Sequence, residues 1–150
     1  MGKLPTHFEA DLLQLVNVCL HENAERHAGE VSWRGVPIYV HSPKPENFEV
    51  RMMDGPVATF SLSPLPGCCG VLVSYYSEVR ADQRKLGLGT ILLKTRMDAA
   101  RRGGYGHLIA TVLASNKVEE HLLQDNGWVC TGEFRNPKTS NLVHIWQVNL

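Results

Sequence analysis

A chain of 150 residues, 43% apolar and 20% charged, is long enough to bury a core without metals or disulfides; no repeat or low-complexity tract divides it, so residues 1–150 read as one domain. Its formal net charge of zero argues against generic binding to nucleic acid or membrane. The opening Met1-Gly2-Lys3-Leu4-Pro5 lacks the apolar core of a signal peptide, and the expected location is cytoplasmic.

Thr6 with Glu9 three places on has the capping-box form, so a helix should open there. Phe8, Leu12, Leu15, Val16, Cys19 and Leu20 follow at helical spacing, and the helix is expected to run to about Ala28 with Gly29 as its stop. Glu30 to Gly35 reads as a loop, and Val36 to His41 as a short strand. Phe48–Met53 and Val57–Leu62 are β-type runs joined by Asp54-Gly55-Pro56, the chemistry of a hairpin turn. Cys69 to Val79 is rich in β-branched and aromatic residues and should be a long, largely buried strand.

Beyond it Leu88, Ile91, Leu92, Thr95 and Ala99 share a helical face, and Gly103-Gly104 ends that helix. His107–Leu113 is the next strand. Asn116 followed by Glu119 starts a helix through Asp125, closed by Asn126-Gly127. Trp128–Phe134 and Leu142–Val148, with the turn-rich Asn136–Asn141 between them, predict a final antiparallel hairpin. The order is mixed α/β, with at least one crossover between parallel strands. Cys19, Cys68, Cys69 and Cys130 show no C-x-x-C spacing and are expected to be buried reduced thiols.

Charge is concentrated in one place. Arg80 to Arg102 holds seven basic and two acidic residues, a net of +5 that the remainder balances with eight basic and thirteen acidic ones. The segment begins Val79-Arg80-Ala81-Asp82-Gln83-Arg84-Lys85-Leu86-Gly87-Leu88-Gly89-Thr90. A strand end, then Arg-x-x-Gly-x-Gly, then an amphipathic helix presents unpaired backbone N–H groups and the helix dipole to an anion. Arg84 and Lys85 add positive charge, Thr90 adds a hydroxyl donor, and glycine lets a phosphate approach the backbone. No Gly-Lys-Ser/Thr follows and no third glycine stands three places after Gly89, so neither the Walker loop nor the dinucleotide fingerprint is met.

The arrangement of Val79, Arg84, Gly87, Gly89, a helix, a strand, Asn116 and then Gly127-Trp128 resembles the GNAT N-acetyltransferase superfamily, over roughly Cys69 to Trp128. The resemblance implies a mixed sheet of six or seven strands with flanking helices and a V-shaped splay between its central strands. It implies acetyl-CoA as co-substrate, held by Val79, Arg84, Lys85, Leu86, Gly87, Leu88, Gly89, Thr90 and Asn116, with no metal. The thioester carbonyl would meet the backbone N–H at Val79, where the long strand bulges. The expected acceptor is a primary amine of a small molecule or a protein, with no nucleic acid or membrane partner; a homodimer is compatible with this reading.

Two positions depart from the family pattern. Many members carry Tyr seven residues after the Asn, where this chain has Leu123, and some that modify protein N-termini carry Glu five residues before it, where this chain has Thr111. Leu123 motivates the alternative of a degenerate fold that binds CoA without transfer. The candidate catalytic groups are Tyr75 and, if a bulge turns it inward, Glu78. A packed or solvated side chain is the plainer reading of each. Trp33, Trp128 and Trp146 are expected in the core.

Overall fold

The computed structural model describes residues 8–27 and 30–150. Helix α1 (Phe8–Asn23) buries Leu12, Val16, Cys19 and Leu20, the stripe read from the sequence. Thr6, Ala28 and Gly29 lie outside the described residues. The helix ends at Asn23, short of the expected boundary, with the Asn23 amide donating back to the Cys19 carbonyl at 2.7 Å. The chain then enters a small antiparallel sheet of β1 (Glu25–His27), β2 (Glu30–Trp33) and β3 (Val36–Pro37). The stretch from Glu30, expected to be loop, therefore contains a strand. Its hairpin turns on Arg34 (φ 52°) and Gly35 (φ 81°), a two-residue connection with both φ positive, as the twist of paired strands requires.

The main sheet has seven strands. They are β4 (Tyr39–Lys44), β5 (Asn47–Met52), β6 (Gly55–Pro64), β7 (Val71–Val79), β8 (His107–Leu113), β9 (Val129–Arg135) and β10 (Leu142–Asn149), in the order β4-β5-β6-β7-β8-β10-β9. The predicted strand from Val36 to His41 is thus two strands in different sheets, parted at the buried Ile38. Asn17 of α1 joins the helix to edge strand β4. Its Oδ1 accepts from the Val40 N–H at 3.0 Å and its Nδ2 donates to the Val40 carbonyl at 3.2 Å, which satisfies backbone groups that an exposed edge would leave free.

Helix α2 (Leu88–Arg102) divides the interior. Leu88, Leu92 and Ala99 join a core built from α1, β2 and β4 to β6. Leu93 and Ala100 join a second core with Leu72, Leu108, Leu123, Trp128 and Trp146, which includes helix α3 (Lys117–Asp125). All three tryptophans are buried, as expected. The cysteines follow expectation only at Cys19; Cys68, Cys69 and Cys130 are exposed, and all four are free, because the turn before β7 and the outer strand β9 are solvent-facing.

On α3, Glu120 is buried and accepts hydrogen bonds from Lys117 Nζ at 3.1 Å and from His144 Nδ1 of β10. Burial acts to raise its pKa, but the bonds from His144 and Lys117 outweigh it and hold the carboxyl below its ordinary value of 4.5. A carboxylate with a lowered folded pKa stabilises the fold above its unfolded value and loses that contribution as the pH falls through the folded one. Glu120→Gln should therefore cost about 1 kcal/mol at pH 7, or about 3 °C in melting temperature. The gap from wild type should narrow as melts are repeated below pH 4.5; a pH-independent gap would exclude an ionic contribution.

Candidate functional site

Parallel strands β7 and β8 pair only over Val71–Ser74 and His107–Ala110. Both continue, β7 to Val79 and β8 to Leu113, but without mutual pairing, so the sheet opens beyond Ser74 and Ala110. On its other side β7 carries a bulge. Ser61 opposes Tyr75 and Thr59 opposes Glu78, which leaves Phe60 facing both Tyr76 and Ser77, and Tyr76 has φ of 51°. Two residues against one is the definition of a β-bulge, and the surplus residue leaves backbone groups out of the ladder. The bulge therefore sits at Tyr76–Ser77, not at Val79, which pairs with Ala58. β7 is also less buried than expected, with Tyr76 at 79% exposure.

The opening forms a cleft of about 480 Å³. β7 contributes Ser74 to Ser77, β8 contributes Ala110 to Leu113, α2 contributes Leu93 and Arg96, and α3 contributes Glu119 and Leu123 with its cap Asn116. The β9–β10 loop closes one side through Asn136, Thr139 and Asn141. Asn116 Oδ1 accepts from the Glu119 N–H at 3.2 Å, the N-cap read from the sequence. Its amide nitrogen is the group left to face the cleft.

The loop after Val79 leads into α2. Arg80 anchors it, with Nε donating to Asp82 at 2.6 Å and Nη2 to Asp54 of the β5–β6 turn at 3.2 Å. Positive φ at Lys85 (62°) and Gly87 (88°) curls the chain into the helix. Gly87 is the N-cap and offers no side chain to the first turn. Ile91 N–H reaches the Gly87 carbonyl at 3.2 Å, and the N–H groups of Leu88, Gly89 and Thr90, which precede it, are the unsatisfied donors of a helix start. Arg84 behaves differently from expectation. Its Nε donates to the Val79 carbonyl at 2.6 Å and its Nη2 lies 3.7 Å from Glu78, so it braces the end of β7. Among the described residues, Lys85 makes no ion pair.

The two glycines have separate reasons. At Gly87 an added Cβ would meet only Trp33 Cη2 at 3.8 Å, but φ of 88° is left-handed. At Gly89 φ is ordinary and a Cβ would lie 3.6 Å from Leu122 Cδ2, an ordinary contact. Among the described residues nothing requires glycine there.

Of the catalytic candidates, Tyr75 lines the cleft. Glu78 does not; its side chain is 74% exposed and faces Arg84, so the bulge leaves it outward. The structure adds Glu46, which sequence reasoning missed because a lone acid in the Pro45-Glu46-Asn47 turn carries no pattern. Burial raises the Glu46 pKa, the nearby Glu9 raises it further, and a hydrogen bond with Tyr75 partly opposes both. Glu46 therefore lies within reach of the Tyr75 side chain that lines the cleft.

The family model for the acetyltransferase (GNAT) family matches residues 11–128. No curated protein sequence matches the chain. Among solved structures, a GNAT acetyltransferase from Elizabethkingia anophelis with acetyl-CoA bound has 15% identity and a TM-score of 0.66, over 79% of this chain and 100% of that one. Ard1 from Thermoplasma volcanium has 14% identity and a TM-score of 0.62, over 71% of each chain. Naa50 from Arabidopsis thaliana, in complex with a bisubstrate analogue, has 16% identity and a TM-score of 0.59, over 69% of this chain and 72% of that one. At these identities the likeness is one of fold.

The glycine analysis makes opposite predictions for two alanines in the ligand-free protein. Gly87→Ala should lose about 1 to 2 kcal/mol from left-handed strain, whereas Gly89→Ala should be neutral or gain up to about 1 kcal/mol from helix propensity. Urea denaturation would show the two midpoints moving apart; a large loss at Gly89 would mean that packing requires the glycine after all.

Proposed function

The chain belongs to the acetyltransferase (GNAT) family, and we propose on that premise that it transfers the acetyl group of acetyl-CoA to a primary amine of a small molecule or a protein. One observation carries the reading: parallel strands β7 and β8 part beyond Ser74 and Ala110, and the helix that follows β7 starts uncapped, with a glycine that no contact among the described residues requires. The helix start suits phosphates and the parted strands suit a long, narrow arm that satisfies strand edges.

In this reading Leu88, Gly89 and Thr90 offer backbone donors to the pyrophosphate, with Lys85 and Gly87 shaping the turn and Leu86 packed beneath it. Arg84 supports them by bracing Val79 and Glu78. Asn116 turns its amide toward the arm. Acetyl-CoA supplies an activated thioester whose thiol leaves readily, with a pKa of about 8.5. Unpaired backbone at the Tyr76–Ser77 bulge is the proposed donor to the carbonyl oxygen as charge develops there. Tyr75 accepts a proton from the attacking amine as it passes its own phenolic proton to the Glu46 carboxylate, which ends as the acid. Glu78 keeps a bracing role.

Leu123 supports a second reading, a protein that binds CoA without transferring from it, because it fills the cleft's side wall at 1% exposure where many family members carry a tyrosine. Binding and turnover therefore need separate tests. Acetyl-CoA at about a hundredfold over its Kd should stabilise the fold by about 2.7 kcal/mol, visible as a raised melting temperature. Gly89→Leu should abolish that rise while the variant remains folded; an undiminished rise would move the phosphates elsewhere.

For catalysis, Tyr75→Phe and Glu46→Gln should each lower acetyl transfer to a panel of primary amines by about a hundredfold and leave the Kd for acetyl-CoA in place. Full activity in Tyr75→Phe would remove Tyr75 from the chemistry. Absence of turnover by the wild type with every amine, alongside tight binding, would favour the second reading.

A further inference from the structure

Arg96 is the most anomalous charge in the molecule. It lies on α2, two turns into the helix, with 2% of its surface exposed, and it forms part of the cleft wall. Its Nη1 donates to Ser74 Oγ at 3.0 Å and its Nε to the Leu92 carbonyl of its own helix at 3.3 Å. Its Cζ stands 5.4 Å from the centroid of the Phe60 ring. A guanidinium carries five N–H donors in a planar fork, and the two hydrogen bonds leave part of that fork without a protein acceptor. Among the described residues Arg96 makes no salt bridge. Glu119, also on the cleft wall, is the carboxylate whose field it feels, from beyond salt-bridge distance.

Burying a cation without a partner is costly enough that interiors almost always supply a counter-ion. Glu119 stands too far for a salt bridge, so the N–H groups of Arg96 not bonded to Ser74 or Leu92 are left for an anion that enters the cleft. Ser74 is the last β7 residue paired with β8, so the guanidinium sits at the closed end of the cleft. Phe60, beneath it, is the residue that opposes the Tyr76–Ser77 bulge. Arg96 thus lies at the height of the bulge, about 10 Å along the helix axis from Gly89 at 1.5 Å per residue. A thioester whose phosphates rest at the helix start and whose arm descends the cleft directs its acyl end toward this point.

Resting on the reading that a CoA thioester occupies the cleft, we infer that the site accepts, besides acetyl, an acyl group that ends in a carboxylate, as in a succinyl thioester, and that Arg96 holds that carboxylate and discriminates it from an apolar chain of the same length. The transfer keeps its balance: the amine nitrogen bonds to the thioester carbon, the C–S bond breaks, the amine gives up a proton and the thiolate gains one. The distal carboxylate passes through unchanged. Burial raises the Glu119 pKa and Arg96 opposes that shift, so a second carboxylate in the cleft would share the field of Arg96 with Glu119.

Calorimetry with CoA, acetyl-CoA, butyryl-CoA and succinyl-CoA separates charge from chain length, since the butyryl and succinyl chains have the same number of carbons. The wild-type protein should bind succinyl-CoA more tightly than butyryl-CoA by about tenfold or more, as expected of a buried charge-assisted pair. Arg96→Met should bring that ratio toward one. Arg96→Lys, which keeps the charge and loses the fork, should fall between, and it carries the test if the methionine variant fails to fold. Binding of CoA and butyryl-CoA with no preference for succinyl-CoA would overturn the inference and leave the CoA reading standing, as would a preference that survives Arg96→Met. Failure of all four ligands to bind would sink the CoA reading itself, and this inference with it.

Discussion

The end of pairing between β7 and β8 at Ser74 and Ala110 is the constraint from which the rest of the site follows. Two parallel strands that part must leave backbone groups unsatisfied along both inner edges, a cost tolerable only where solvent or a ligand restores the hydrogen bonds. Side chains enforce the parting from several sides. α2 wedges between two cores, with Leu92 in one and Leu93 in the other. The bulge at Tyr76–Ser77 bends β7 away, and the Asn116 cap starts α3 immediately after β8 ends. Arg84, bonded to the Val79 carbonyl, fixes the far end of the parted strand. The cleft is therefore built into the packing and needs no ligand to create it.

The basic segment has a different meaning in three dimensions from the one its local net charge suggests. Arg80 is spent on Asp54 and Asp82, Arg84 on Glu78 and a carbonyl, Arg101 on Asp98, and Arg102 on Glu22 of α1. These exposed pairs contribute little to stability individually, but they hold the turn, the strand end and two helices in register. What remains for an anion at the helix start is mostly backbone, with Lys85 beside it. Such a site depends on geometry, which is why the left-handed turn at Gly87 and the open position at Gly89 matter more there than the number of arginines.

Much of this was legible in the sequence from about Cys69 onward. Strands there carry clean β-type runs, α2 ends at a glycine pair, and Asn116 with Glu119 spells out a cap; these are local signals, and the fold obeys them. Before Cys69 the α1 stripe and the β5–β6 hairpin were legible as well, but between Asn23 and Tyr39 the signals fail for identifiable reasons. β1 to β3 are two to four residues long, too short for periodicity, and the turn that joins β2 to β3 uses Arg34 in a left-handed conformation usually marked by Asn or Gly. The bulge was legible as an option but not as a position, because its location depends on the register with β6. Arg96 was visible only as one more charge in a basic run. Its spacing of four from Leu92 puts it on the buried side, but hydrophobic patterning has no category for a buried cation.

Leu123 brings the fold and the chemistry into contact. It is almost wholly buried in the core shared by α3, β8 and β10, so its side chain is committed to packing along with Leu72, Leu93 and Trp128. Leu123 puts no tyrosine on that wall; Leu122 is apolar, Glu120 is engaged with Lys117 and His144, and Glu119, whose pKa burial raises, is a titratable group that lines the cleft there. A thiolate with a pKa near that of water-exposed cysteine needs little help to leave, so the demand for proton handling shifts to the amine. On the proposed reading that demand falls on the β7 side of the cleft, where Tyr75 lies within reach of Glu46. With Leu123 on one wall of the cleft and Tyr75 on the other, the side chains in that proposed reading assist deprotonation of the acceptor amine and not departure of the thiol.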